Sequence, residues 1–248
     1  MKILSNILLY TCLTFCFLGN SQNIKGEITY NGVINQKYVD SFITALESKK
    51  EVSMHIKQVV AQSYRNAKPE DFKLNYQHEE SYYYLIPSLK EKEYNVGSNS
   101  DISPYYTNNA IGTIIYVSPT FGNVSNKPIK WRITQETKKI GDYLCYKAIS
   151  SEKLYSRQGH YYNKKVVAWF TPEIPVSFGP SRYSGLPGLI LQIERDKFTL
   201  TATKINLNPN DKDIKIKRIE KNEKVITEEE THARIKEMVE YRKKEYGG

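Results

Sequence analysis

The feature that most constrains this chain is a seventeen-residue loop held between two apolar runs. Val166-Val167-Ala168-Trp169-Phe170 is β-branched and aromatic and suits a strand. Leu189-Ile190-Leu191-Gln192-Ile193 is too short and apolar for a helix and reads as a second strand. Between them, Pro172 to Gly188 holds three Gly and four Pro. Each Pro fixes φ near −65° and removes a donor, and each Gly permits positive φ. Such a loop is stiff, and Gly185-Leu186-Pro187-Gly188 reads as a tight turn feeding the next strand. Its residues Glu173, Arg182, Tyr183 and Ser184 form the candidate binding loop, since loops on rigid scaffolds carry function.

The string Gly185-Leu186-Pro187-Gly188-Leu189-Ile190 resembles the signature of the GLPGLI family of exported Bacteroidetes proteins. Trp131 with Glu136, Lys138 and Ile140, the Tyr143/Cys145/Lys147/Ala148 segment, Ala168-Trp169, Glu173-Ile174-Pro175, Gly179-Pro180 and Thr227-Glu228-Glu229-Glu230 look like the same pattern. Phe170 departs from it, where Tyr is expected. The resemblance runs from about Gly26 to the C-terminal helix. It implies export, and it brings no established biochemical activity with it.

The N-terminus agrees with export. Lys2 precedes an apolar stretch from Ile7 to Leu18, followed by Gly19-Asn20-Ser21-Gln22. This is the pattern of a secretory signal peptide over residues 1–22. The stretch is shorter than the roughly 20 residues a membrane-spanning helix needs. Phe15 before Cys16 is too bulky for lipid attachment, so a soluble periplasmic or secreted protein is expected. Residues 23–248 are long enough for one domain with a substantial core. Without Lys2, 36 Lys+Arg become 35 against 27 Asp+Glu, a net charge of +8. That excess favours peripheral contact with anionic surfaces. No nucleic-acid motif is present. Cys12 and Cys16 lie in the leader, so Cys145 is left with no partner for an internal disulfide.

The periodicities predict an α+β fold: a curved, mainly antiparallel sheet of about eight to ten strands, with one helix in the N-terminal half and one at the C-terminus. Strands are expected over Gly26–Ile34, Phe72–Tyr76, Ser81–Ile86, Gly112–Ser118, Pro128–Gln135, Tyr143–Ile149, Phe198–Leu207 and Ile214–Ile219, besides the two flanking the loop. Tyr38 to Asn66 reads as helical, with Tyr38, Phe42, Ala45 and Leu46 on one face and Ile56, Val59, Val60 and Tyr64 on another. Lys90 to Asn109 reads as a long mobile loop. Thr227 with Glu230 three residues on is a capping box opening the last helix.

The chemical candidates are few. Gly179-Pro180-Ser181-Arg182-Tyr183 fails the nucleophile-elbow pattern at its last position. His55, His78, His160 and His232 show no metal-ligand spacing, so no metal or other cofactor is expected. Cys145 is the candidate reactive thiol, with Lys147 on its face and His160 as a base that folding can bring near. Glu173 is a candidate base, or an acceptor for backbone donors in its own loop, or a partner for Arg182. The doublets and triplet among the 20 Tyr place some rings on solvent-side faces, as recognition surfaces do. The reading these support is a non-catalytic exported binding, carrier or accessory protein of the cell envelope, taking an apolar ligand or an outer-membrane protein. The alternative is an extracytoplasmic enzyme using Cys145 or Glu173.

Overall fold

The computed structural model describes residues 24–87, 96–156, 158–220 and 222–246. The leader assigned to residues 1–22 lies outside them, as does the first part of the loop placed at 90–109. The described residues form twelve strands in one sheet and three α-helices. The sheet is larger than the eight to ten strands expected, and every pairing is antiparallel except one.

Two meanders build it. The first runs through β1 (Lys25–Ile34), β2 (Glu70–Gln77), β3 (Glu80–Leu85), β4 (Tyr105–Asn108), β5 (Thr113–Ser118) and β6 (Gly122–Asn126). The second comprises β7 (Arg132–Ile140), β8 (Tyr143–Tyr155), β9 (Tyr161–Thr171), β10 (Leu189–Glu194) and β11 (Phe198–Asn206). β1 pairs with β11 and fuses the halves. β12 (Val225–Thr227) adds in parallel beside β6, giving the order β12-β6-β5-β4-β3-β2-β1-β11-β10-β9-β8-β7.

This order dictates curvature. β6 and β7 are ten strand steps apart, about 48 Å in a flat sheet at about 4.8 Å per step. Yet only Lys127 to Trp131 connect them, a reach of about 20 Å at full extension. The sheet must curl until its ends approach. The concave face carries Ile28 and Tyr30 of β1, Phe72, Leu74 and Tyr76 of β2, and Tyr83 of β3, all buried. Two rings fit because β1 has glycine opposite them: a Cβ on Gly26 would lie 2.4 Å from the Tyr76 ring, and one on Gly32 2.9 Å from the Phe72 ring.

The loop between β9 and β10 fills that concavity. Ile174, Val176, Phe178, Tyr183 and Leu186 are buried in the same core. The loop folds back on itself: Leu189 N–H donates to Ile174 O (2.9 Å), Ile190 N–H to Phe178 O (2.9 Å) and Ser177 Oγ to Leu186 O (2.9 Å). Tyr30 Oη donates to Ile190 O at 2.6 Å, and Phe178 stacks on Tyr76 with centroids 5.7 Å apart. Trp131 Nε1, on the short link, donates to Ser184 O at 2.8 Å. Among the described residues, the concave face is thus filled by the protein's own loop.

Several local readings are corrected by this context. The helical stretch is two helices, α1 (Gln36–Glu47) and α2 (Met54–Arg65), with Ser53 capping the second through Ile56 N–H (3.4 Å). They pack on each other around Val39, Ile43 and Ala61, so Ala45, Ile56 and Val59 are exposed. Ile214–Ile219 makes no ladder. It is a strap across the outer face, held by Asn75 Nδ2 donating to Lys215 O (3.2 Å) and by Arg218 paired with Glu80 (2.5 Å). Within the supposed mobile loop, Ser98 is fully buried and Tyr105–Asn108 is β4. Pro128–Lys130 is link, not strand. The capping box forms: Glu230 N–H donates to Thr227 Oγ1 (3.1 Å) and Thr227 N–H to Glu230 Oε2 (2.6 Å), opening α3 (Glu228–Tyr246).

Gly188 tests the plug. At φ +152° its hydrogen faces the β9 end, and a Cβ would lie 2.1 Å from Thr171 O. Gly188→Ala is expected to lower stability in denaturant titration by about 3 kcal/mol or more. Gly185→Ala, also at positive φ but with open space around it, is expected to cost only about 1 kcal/mol.

Candidate functional site

Where the plug meets the curled ends of the sheet, a polar cavity of about 370 Å³ opens. Ser181, at φ +57°, turns the loop so that Arg182 and Tyr183 line this cavity. β8 supplies Glu152, which is 6% exposed, and the β10–β11 turn supplies Arg195. α3 supplies Glu228, Thr231, His232 and Ile235, β6 supplies Asn126, and the segment before β4 supplies Asn99 and Asp101.

These groups form a tied cluster. Arg195 Nη1 lies 2.5 Å from Glu152 Oε2 and donates to Tyr183 Oη at 2.8 Å. Tyr183 Oη donates to Glu152 Oε2 at 3.3 Å. Arg182 Nη1 donates to Glu228 Oε1 at 3.2 Å, while its Nε faces Glu152 Oε1 at 3.8 Å, beyond hydrogen-bond reach. Burial, with the Glu152 charge beside it, pushes the Tyr183 phenol well above its ordinary range, so it stays a neutral donor. Four acidic residues (Asp101, Glu152, Asp196 and Glu228) and four basic ones (Lys164, Arg182, Arg195 and Lys197) line the cavity, so it is charge-balanced.

It is not balanced in hydrogen bonds. Asn99 Nδ2, Asn126 Nδ2, Arg182 Nε, Arg195 Nε and Glu152 Oε1 are buried and have no hydrogen-bond partner within the protein. All five belong to residues that line this one cavity. Four are donors and one is an acceptor. Aromatic rings of Tyr105, Tyr116, Phe121, Tyr155 and Tyr162 complete the wall, with Tyr155 stacked on His232 at 4.7 Å.

The residues singled out by sequence separate. Arg182 and Tyr183 reach the cavity. Ser184 is buried, with its carbonyl engaged by Trp131. Glu173 is exposed elsewhere and its carboxylate accepts from Leu144 N–H of β8 at 3.0 Å, a backbone donor outside its own loop, while Arg182 pairs with Glu228 instead. Cys145 is 0% exposed, and burial pushes its thiol up to about 11; Lys138 lowers it and the Glu173 charge raises it further. Lys147 is spent on Glu136 at 2.7 Å. His160 sits beyond the far end of β8, where Tyr155 pairs with Tyr161, about 30 Å along the strand from Cys145 at about 3.3 Å per residue. The Cys145–His160 pair is therefore overturned. Among the described residues no three His, Cys, Asp or Glu gather as a metal site requires. Glu152, Arg195, Asn99, Asn126 and Glu228 escape a sequence reading. Arg195 lies in a Glu-Arg-Asp turn that looks solvated, and Glu152 shows itself only as a charge on the face that also carries Ala148.

Sequence and structure comparisons bear on the same region. A model for a protein family of unknown function (Porph_ging) matches residues 157–192, a segment spanning β9, the loop and the Gly185–Ile190 string. No curated protein matches the chain. Among solved structures, PNGF-II is similar at 15% identity and a TM-score of 0.46, over 87% of this chain and 33% of PNGF-II. A second crystal form of PNGF-II gives 16% and 0.45. LprF from Mycobacterium bovis gives 7% identity and a TM-score of 0.30, over 76% of this chain and 88% of LprF. The chain thus spans about a third of the length of PNGF-II.

Two measurements follow. Cys145 is expected to resist a thiol reagent in the native protein from pH 6 to 9 and to label on unfolding; rapid native labelling contradicts its burial. Glu152→Gln, which leaves Arg195 without its charge partner, is expected to cost about 3 kcal/mol in equilibrium denaturation.

Proposed function

We propose that this chain is an exported, non-catalytic binding protein of the cell envelope, and that the polar cavity around Arg182, Arg195 and Glu152 is its ligand site. The observation that carries the reading is that five buried polar atoms without a hydrogen-bond partner in the protein all belong to residues lining one cavity. Each such atom costs about 1–3 kcal/mol when it lacks a hydrogen bond. A fold selected for stability alone would place apolar side chains there. Donors held ready by ion pairs and a stiff loop are what a preorganised binding site needs.

The two groups weighed for catalysis fit this reading. The thiol is buried and protonated, and Glu173 is tied to a backbone amide. Export rests on the leader pattern and on the family that the Gly185–Ile190 string resembles. The charge balance of the cavity favours a neutral, oxygen-rich group over an ion, because an added charge would have no counter-charge. Four donors call for acceptor oxygens, and Glu152 Oε1 calls for a hydroxyl.

Asn126→Leu tests this. Replacing an unpaired buried amide by an apolar group is expected to leave the unliganded protein as stable as before, or more stable by about 1 kcal/mol. 1-Monoacetin, a small neutral ester with hydroxyls, is expected to raise the unfolding temperature of the wild type and not of Asn126→Leu. A variant clearly less stable than the wild type would show that the amide is structural.

A further inference from the structure

A second cavity adjoins the polar one. It has a volume of about 600 Å³ and is formed by the β5–β6 turn, through Pro119 and Phe121, and by α3, through Ile235, Met238 and Val239. Ile235, Met238 and Val239 stand at i, i+3 and i+4 and share one face of the helix. Met238 is 51% exposed, large for an apolar side chain on such a face. Tyr116, Phe121 and Ile235 line both cavities. The two therefore share a wall, with the polar side chains of the cluster at one end and, at the other, Pro119, Phe121, Ile235, Met238 and Val239, joined by Ser118, Thr120 and Arg242.

Resting on the binding role proposed above, we infer that the ligand is a neutral single-chain amphiphile. Its oxygenated head occupies the polar cavity, where ester and hydroxyl oxygens meet Asn99, Asn126 and Arg195 and a hydroxyl donates to Glu152. Its hydrocarbon chain passes Tyr116 and Phe121 and lies along the Ile235–Val239 face of α3. The groove is bounded by one helix and one turn, which suits one chain. A fatty acid fits less well, since its carboxylate would enter a cluster where each guanidinium already faces a carboxylate.

Calorimetry with 1-monoacetin, 1-monohexanoin, 1-mono-octanoin and 1-monodecanoin, each below its micelle concentration, tests this. From the hexanoyl ester upward, affinity is expected to rise about two- to fourfold per methylene, the gain of moving a CH₂ out of water. Met238→Glu, at an exposed position, is expected to weaken monodecanoin by roughly tenfold or more, as a charge in an apolar groove must, and to leave monoacetin unchanged. Decanoate is expected to bind weaker than monodecanoin. A flat chain-length series with monoacetin still bound overturns the amphiphile while the binding site stands. No response to any ester removes both. A dimer in sedimentation that Met238→Glu abolishes, without chain-length dependence, would assign the groove to a second copy and also overturn the inference.

Discussion

The five residues from Lys127 to Trp131 join opposite ends of a twelve-stranded sheet, and they are too few to cross it flat. Curling is thus a covalent requirement, with the native twist of the strands working in the same direction. Once the sheet curls, its concave face must be filled, because voids in a protein interior forfeit dispersion contacts. The Gly/Pro loop is that filling. Its stiffness matters here: a loop already confined by four Pro loses less freedom when it packs. Its backbone carbonyls are met from within by Ser177 and from outside by the Leu189 and Ile190 amides of β10 and by Trp131.

The cavity arises where filling stops. Beyond Tyr183 the plug ends in Arg182, and the sheet's two ends contribute Glu152 from one side and Asn126 with Glu228 from the other. A buried carboxylate is tolerable there because two guanidiniums surround it. That arrangement fixes the Tyr183 hydroxyl and both Arg heads in place. Four of the donors around it keep no hydrogen-bond partner within the protein. The same curl brings α3 beside the β5–β6 turn and places an apolar groove against a polar one.

Legibility in the sequence followed the range of the interaction. The capping box at Thr227 and Glu230 was readable because its partners lie three residues apart. The strands around the loop were readable from β-branched and aromatic runs. Ile214–Ile219 has the composition of a strand and is a strap, because the neighbours its ladder would need are already paired. β4, β6 and β12 were missed because four, five and three residues of mixed polarity carry little periodicity, and their pairing partners make them strands. In the candidate loop, Arg182 and Tyr183 were found, but Glu173 faces away, since a sharp Pro-bounded corner separates them.

The sequence by itself determined the alternation that makes an antiparallel sheet and the stiff corner that organises it, because each depends on neighbours a few residues away. Tertiary structure decided the curl of the sheet, the burial of Cys145, its distance from His160, and the meeting of Glu152, Arg182, Arg195, Asn126 and Glu228. Those residues are up to about a hundred positions apart in the chain. Nothing local marks them, because their solvation, charge pairing and unpartnered donors exist only once the sheet has curled around the plug.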